Sequence, residues 1–181
     1  MRCSYCIKYK WKWKFRGYYL RLKKEPGYRE IISAINKNLN DIKEYVFCGY
    51  GEPTIRFELL KKVARYLKNK NKIVRINTNG HGNLINKRNI CPEMKGIVDK
   101  ISISLNAESA KKYFLLHRPK FGINTFNSVL NFIKECKKYI PEVVITTVAL
   151  PDVDIKKCKE IAEKLGVKFF VRPYLDEYEG Q

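Results

Sequence analysis

Two hydrophobic periods alternate along most of the chain. Segments with the 3.6-residue spacing of a helix, such as Ile31, Ile32 and Ile35 or Leu59, Leu60, Val63 and Leu67, are separated by short apolar runs of strand length. This pattern predicts helices over 28–39, 57–69, 93–98, 109–116, 125–139 and 155–165, and strands over 44–48, 72–77, 100–105, 142–148 and 168–172. Strands that alternate with amphipathic helices form βαβ units, and right-handed crossovers gather such units into a parallel sheet. The expected fold is α/β, a partial (βα)6 TIM-like barrel lacking its first strand.

Residues 7–26 are patterned differently. Tyr9, Trp11, Trp13 and Phe15 alternate with lysines, and Tyr18, Leu20 and Leu22 follow Arg16-Gly17. That alternation predicts a basic, aromatic β-hairpin or extended loop. The chain reads as a single domain over 1–181, because 181 residues with 45% hydrophobic content can bury one core and no shift in composition marks a second.

The strands run into small and polar residues: Gly49-Tyr50-Gly51-Glu52-Pro53, Asn77-Thr78-Asn79-Gly80, Asn106-Ala107 and Leu150-Pro151-Asp152. In a parallel α/β barrel such loops meet around one cavity at the carboxyl ends of the strands.

Composition adds two points. No apolar run approaches the roughly 20 residues of a membrane-spanning helix, so a cytoplasmic protein without a membrane partner is expected. The formal net charge of +19 makes polyanions such as nucleic acid legitimate partners. Abundant Lys, Ile, Asn and Tyr with a single Gln also fit biased codon usage, and the positive charges are spread along the chain.

The six cysteines form no dense framework and read as reduced thiols. Cys3 and Cys6 form a C-x-x-C pair, a motif shared by zinc knuckles, dithiol redox sites and iron-sulfur sites. Zinc would need two more closely spaced ligands, and the histidines are only His81 and His117. A thioredoxin-like pair would sit between a strand and a helix, not before an aromatic hairpin.

Cys3-Ser-Tyr-Cys6, Phe47-Cys-Gly-Tyr-Gly-Glu-Pro53 and the ends of three further strands together resemble the radical S-adenosylmethionine (AdoMet) superfamily. Within it, residues 17–26, 75–85 and 102–107 resemble the TatD-associated radical SAM proteins. The resemblance implies a [4Fe-4S] cluster, AdoMet as cofactor, reductive cleavage to a 5′-deoxyadenosyl radical, and a reductant such as a ferredoxin or flavodoxin. By the same resemblance Cys3 and Cys6 are cluster ligands, and Tyr5 lies near the adenine. Gly49, Gly51, Glu52 and Pro53 belong to the segment whose backbone receives the methionyl amino group. Asn77, Ser104 and Asn106 are candidates for the ribose hydroxyls or the carboxylate, and Arg118 for a carboxylate clamp. Val148 and Leu150 would give adenine an apolar and backbone edge.

The superfamily motif is C-x-x-x-C-x-x-C, which puts a further cysteine two residues upstream of Met1. The strand around Val46 would also be left as an apolar edge. Both features lead us to expect a sequence that starts too late. The alternative reading is a basic nucleic-acid-binding module without radical chemistry, using Tyr9, Trp11 and Trp13; a radical enzyme acting on a nucleic acid or nucleotide combines the two. His81 and His117 read as loop histidines, Cys48 as a buried thiol, Cys136 and Cys158 as inert helix residues, and Cys91 as ambiguous.

Overall fold

The computed structural model describes residues 1–10, 12–15, 17–49 and 51–174, without the side chains of Ile7 and Lys10. Trp11, Arg16 and Tyr50, which the hairpin and glycine-loop readings include, lie outside the described residues.

In chain order the elements are α1 (Ile7–Lys10), β1 (Lys14–Phe15), β2 (Tyr18–Tyr19), α2 (Tyr28–Asn36), β3 (Glu44–Phe47), a 3-10 turn (Pro53–Arg56) and α3 (Phe57–Lys68). Then come β4 (Ile73–Thr78), α4 (Gly82–Asn86), a 3-10 turn (Pro92–Met94), β5 (Lys100–Ser104) and α5 (Ala110–His117). The last are α6 (Thr125–Tyr139), β6 (Glu142–Val148), α7 (Ile155–Leu165) and β7 (Lys168–Arg172).

The five long strands form one sheet in the order β3-β4-β5-β6-β7, and every pairing is parallel. Among the described residues the outer edge of β3 has no strand partner.

Strand alternation divides the sheet into two unlike faces. Val74, Ile76, Ile101, Ile103, Val143 and Ile145 point to one face and are buried with Leu60, Val63 and Leu67 of α3, Phe132, Ile133 and Cys136 of α6 and Ala162 of α7. Ile31, Ile32 and Ile35 of α2 pack on the same cluster. Helices therefore cover a single face, the arrangement of a barrel wall and not of a doubly wound sheet. The other face carries Arg75, Asn77, Lys100, Ser102, Ser104 and Glu142 in register, and these are only half-buried.

The helix starts follow local chemistry. Asp154 caps α7 by accepting from the Lys157 amide, and Ser109 accepts from Lys112 at the start of α5. Gly166 ends α7 in the left-handed conformation at φ 63°.

The hairpin expectation is corrected in part. Only Lys14–Phe15 and Tyr18–Tyr19 pair as strands, and residues 7–10 form one helical turn instead of continuing the alternation. The segment expected to be helical over 93–98 is a 3-10 turn at Pro92–Met94, while α4 was not anticipated.

Candidate functional site

The carboxyl ends of β3 to β7 and the N-terminal loop converge at one end of the sheet. Cys3 and Cys6 lie on a tight turn, closed by the Cys6 amide donating to the Cys3 carbonyl at 3.2 Å. The amides of Arg2 and Ser4 donate to the carbonyls of His117 and Leu116, holding this turn against the end of α5. Burial, with Cys6 adding to it, pushes the Cys3 thiol up to about 11. Among the described residues no third His, Cys, Asp or Glu joins the two cysteines in a metal-holding group.

A directed chain of hydrogen bonds fixes the aromatic residue between them. His117 Nδ1 donates to the Tyr113 carbonyl at 3.0 Å, so its Nε2 is bare and accepts the Tyr5 hydroxyl proton at 2.8 Å. Asn106 Nδ2 donates to the Tyr5 oxygen at 2.8 Å, and Asn106 Oδ1 accepts from the Val148 amide at 2.9 Å. Burial pushes His117 down to about 4, which keeps it in the neutral form this chain requires. His117 is thus a fully buried helix residue and not a loop histidine. His81 is likewise buried, just before α4, with Nε2 at 2.8 Å from the Tyr113 hydroxyl.

Glu52 anchors the glycine loop. Its Oε1 accepts from the Thr54 amide and from the Thr54 and Thr78 hydroxyls, and its Oε2 accepts from the Asn79 amide at 2.8 Å. Burial raises the pKa of this carboxyl against the pull of those four donors. The Glu52 side chain therefore ties the β3 loop to the end of β4. Gly49 and Gly51 are exposed, neither has the positive φ that favours glycine, and apart from chain neighbours no atom of the described residues lies closer than 4.0 Å to where a Cβ would stand. Gly80 and Gly82 differ, because a Cβ there would come within 2.8 Å of Val129 and Ile90 respectively. Packing explains Gly80 and Gly82; the bare backbone at Gly49 and Gly51 is open to an incoming molecule.

The other sequence-predicted residues divide by what they already bind. Asn77 Oδ1 is sealed from solvent without a partner among the described residues, an unmet acceptor at the end of β4. Ser104 Oγ lies 3.4 Å from Thr146 Oγ1 and accepts from Arg172 Nη2 at 3.1 Å. The Asn106 amide donates to Tyr5 and accepts from the Val148 amide, at φ 52° in the left-handed region that Asn tolerates. The Val148 amide donates to Asn106 Oδ1 and its carbonyl accepts from the Leu150 amide.

A groove of about 530 Å³ is lined by Tyr5, Leu116, Leu150 and Tyr174, and a second of about 440 Å³ by Cys3, Tyr9 and Arg118. The structure thus gathers Tyr5 with Leu150 and Cys3 with Arg118. Cys48 is exposed, not buried, while Cys91, Cys136 and Cys158 are buried. Sequence reasoning missed Arg172; the signal was its place in the period-two run Lys168, Phe170, Arg172 on the helix-free face.

A parallel sheet with helices on one face and a C-x-x-C turn at its carboxyl end defines a partial α/β barrel. The radical SAM superfamily model matches residues 1–165, and the chain belongs to that superfamily. It is 30% identical over 167 residues to the uncharacterized protein MJ0804 of Methanocaldococcus jannaschii. That match takes in 92% of this chain and 49% of the relative, so the chain spans about half the length of the curated relative it matches.

Proposed function

We propose that this chain is the catalytic core of a radical AdoMet enzyme, with Cys3 and Cys6 as two of the protein ligands of a [4Fe-4S] cluster. The observation that carries the reading is the exposed backbone at Gly49 and Gly51, which neither conformation nor packing among the described residues explains, at the same carboxyl end of the sheet to which Tyr5 of the C-x-x-C turn is bonded. When bound, cluster and AdoMet supply an electron and a 5′-deoxyadenosyl radical.

The chain's own residues do the rest. The Gly49–Gly51 backbone receives the methionyl amino group, and Asn77 Oδ1 accepts from a cofactor hydroxyl. Tyr5, fixed by Asn106 and His117, and Leu150 form an apolar wall for adenine. Arg118, exposed on the groove that Cys3 also lines, neutralises the methionyl carboxylate on this reading. An electron-donor protein of the ferredoxin or flavodoxin kind and a cytoplasmic setting go with this chemistry. No helix among the described residues is long and apolar enough to cross a membrane.

The test is iron and sulfide uptake under anaerobic reconstitution together with AdoMet binding. Cys3→Ser should abolish uptake. Gly51→Ala should leave thermal stability unchanged and weaken AdoMet about tenfold or more, because a methyl blocks close backbone approach. Protein that takes up zinc but no iron or sulfide refutes the reading, and so does a Gly51→Ala chain with wild-type AdoMet affinity.

A further inference from the structure

Positive residues occur throughout the chain, but negative ones do not. Residues 1–24 hold nine Lys or Arg and no Asp or Glu, whereas residues 25–181 hold 28 and 18, so nearly half of the net +19 sits in this one segment. Arg2, Lys12, Lys14, Arg21, Lys23 and Lys24 are exposed there, and Lys24 meets Glu30 at 2.7 Å.

Exposed rings are interleaved with these cations. Tyr18 is 71% exposed, the most of any large hydrophobic side chain among the described residues, and Tyr19 is 62% exposed. Neither packs on a core cluster. The register of β1 and β2 sets Tyr19 opposite Lys14 and Tyr18 opposite Phe15, so the two tyrosines point to opposite faces of the hairpin. Lys8 Nζ lies 5.3 Å from the Tyr9 ring and 5.1 Å from the Trp13 ring. The segment also borders the candidate site, because Tyr9 lines both grooves, with Tyr5 in the first and with Arg2 and Cys3 in the second.

We propose that residues 2–24 are a docking surface for single-stranded nucleic acid, which brings a nucleotide to the edge of these grooves as the substrate on which the radical acts. The docking stands on the charge and the exposed rings; the substrate role rests on the radical AdoMet reading. The cations neutralise phosphates, and Tyr18 and Tyr19 stack on unpaired bases. A duplex keeps its bases stacked on one another, so the rings select single strands. An anionic membrane would draw the same lysines, but a segment that inserts into a bilayer gathers its apolar side chains on one face, and Tyr18 and Tyr19 stand on two.

The test is fluorescence anisotropy with a labelled twelve-nucleotide oligouridylate, its DNA counterpart, a duplex of equal length and phosphatidylglycerol vesicles. The single strands should bind more tightly than the duplex. With five phosphates neutralised, log affinity should fall with log salt at a slope of about −3.5, and replacing Lys12, Lys14 and Lys23 together by Gln should reduce that slope by about 2. Tyr18→Ala and Tyr19→Ala should each weaken single-strand binding about tenfold or more, with the salt slope and the thermal midpoint unchanged. A 4-thiouridine in the oligonucleotide should crosslink within residues 1–24.

Tyrosine variants that bind like wild type overturn the proposal, as do a duplex bound as tightly as the single strand, crosslinks confined to other segments, or binding to the vesicles alone. Protein that takes up no iron or sulfide yet binds the oligonucleotide through Tyr18 and Tyr19 defeats the radical reading and leaves the docking surface standing. Reconstituted protein that binds AdoMet and no oligonucleotide does the reverse.

Discussion

Acidification between pH 7.5 and 5.5 should strip this protein of stability through two buried histidines. His81 and His117 are 3% and 0% exposed, and burial lowers each from 6.5 to about 4. A depressed histidine leaves the unfolded chain to take the proton first. In the window from 6.5 down to about 4 the unfolded state binds more protons than the folded one, so stability rises with pH and is lost as pH falls through that window.

Each histidine contributes about 3 kcal/mol across the full window, and about 1.4 kcal/mol of that is already lost at pH 5.5. The pair together should cost about 3 kcal/mol by pH 5.5, a large fraction of the 5–15 kcal/mol typical of a domain. The glutamates with lowered values, such as Glu58, Glu93 and Glu142, titrate below this window, whereas the raised carboxyl of Glu52 acts in the opposite sense, so the comparison with His117→Gln isolates the histidine contribution. With a urea slope of about 2 kcal/mol/M, the unfolding midpoint should fall by roughly 1.5 M between pH 7.5 and 5.5, and His117→Gln should reduce the pH dependence by about half. A midpoint that stays constant over that interval would refute the argument, because neutral imidazole is what lets Tyr5 donate to His117.

Two further outcomes follow from packing. Gly82→Ala should destabilise by about 1–3 kcal/mol, since its methyl would meet Ile90 Cδ1 at 2.8 Å and Phe132 Cε2 at 3.1 Å; thermal unfolding of the variant checks this. Cys91 Sγ and Cys136 Sγ lie 3.6 Å apart, so diamide should join them into a disulfide. Closing a 45-residue span should then stabilise by about 4 kcal/mol, read as loss of two titratable thiols and a raised midpoint that Cys136→Ala abolishes.

The strands and long helices were legible because their apolar periods are set by burial on one face: 125–139, 142–148, 155–165 and 168–172 appear with the expected bounds. The short elements were not. Residues 7–10 carry a period-two aromatic pattern over too few positions to separate a strand from one helical turn, and α4 is flanked by glycines with no apolar repeat. C-x-x-C and the glycine loop were readable as local motifs. The partners that hold them in place were not, because Tyr5 meets His117 and Asn106 across 112 and 101 residues of sequence. Pairings of that kind are made by the fold, and no local spacing announces them.

The helix-free face of the sheet changes character along its strands. At the amino ends the charges are paired: Arg75 with Glu44 at 2.8 Å, Lys100 with the same glutamate at 4.0 Å, and Lys168 with Glu142 at 2.6 Å. At the carboxyl ends Asn77 Oδ1 has no donor, Arg172 Nε has no acceptor, and the backbone at Gly49 and Gly51 is bare. Both ends are equally polar in composition, so polarity alone does not mark the site. Leaving a buried donor or acceptor unmet costs about 1–3 kcal/mol, and among the described residues such groups occur towards both ends of the strands, Tyr45 Oη near the start of β3 as well as Asn77 Oδ1 near the end of β4. The ion pairs of the amino end lie within the protein, and on the proposed radical AdoMet reading the carboxyl end is where a bound molecule would meet Asn77 Oδ1 and the backbone at Gly49 and Gly51.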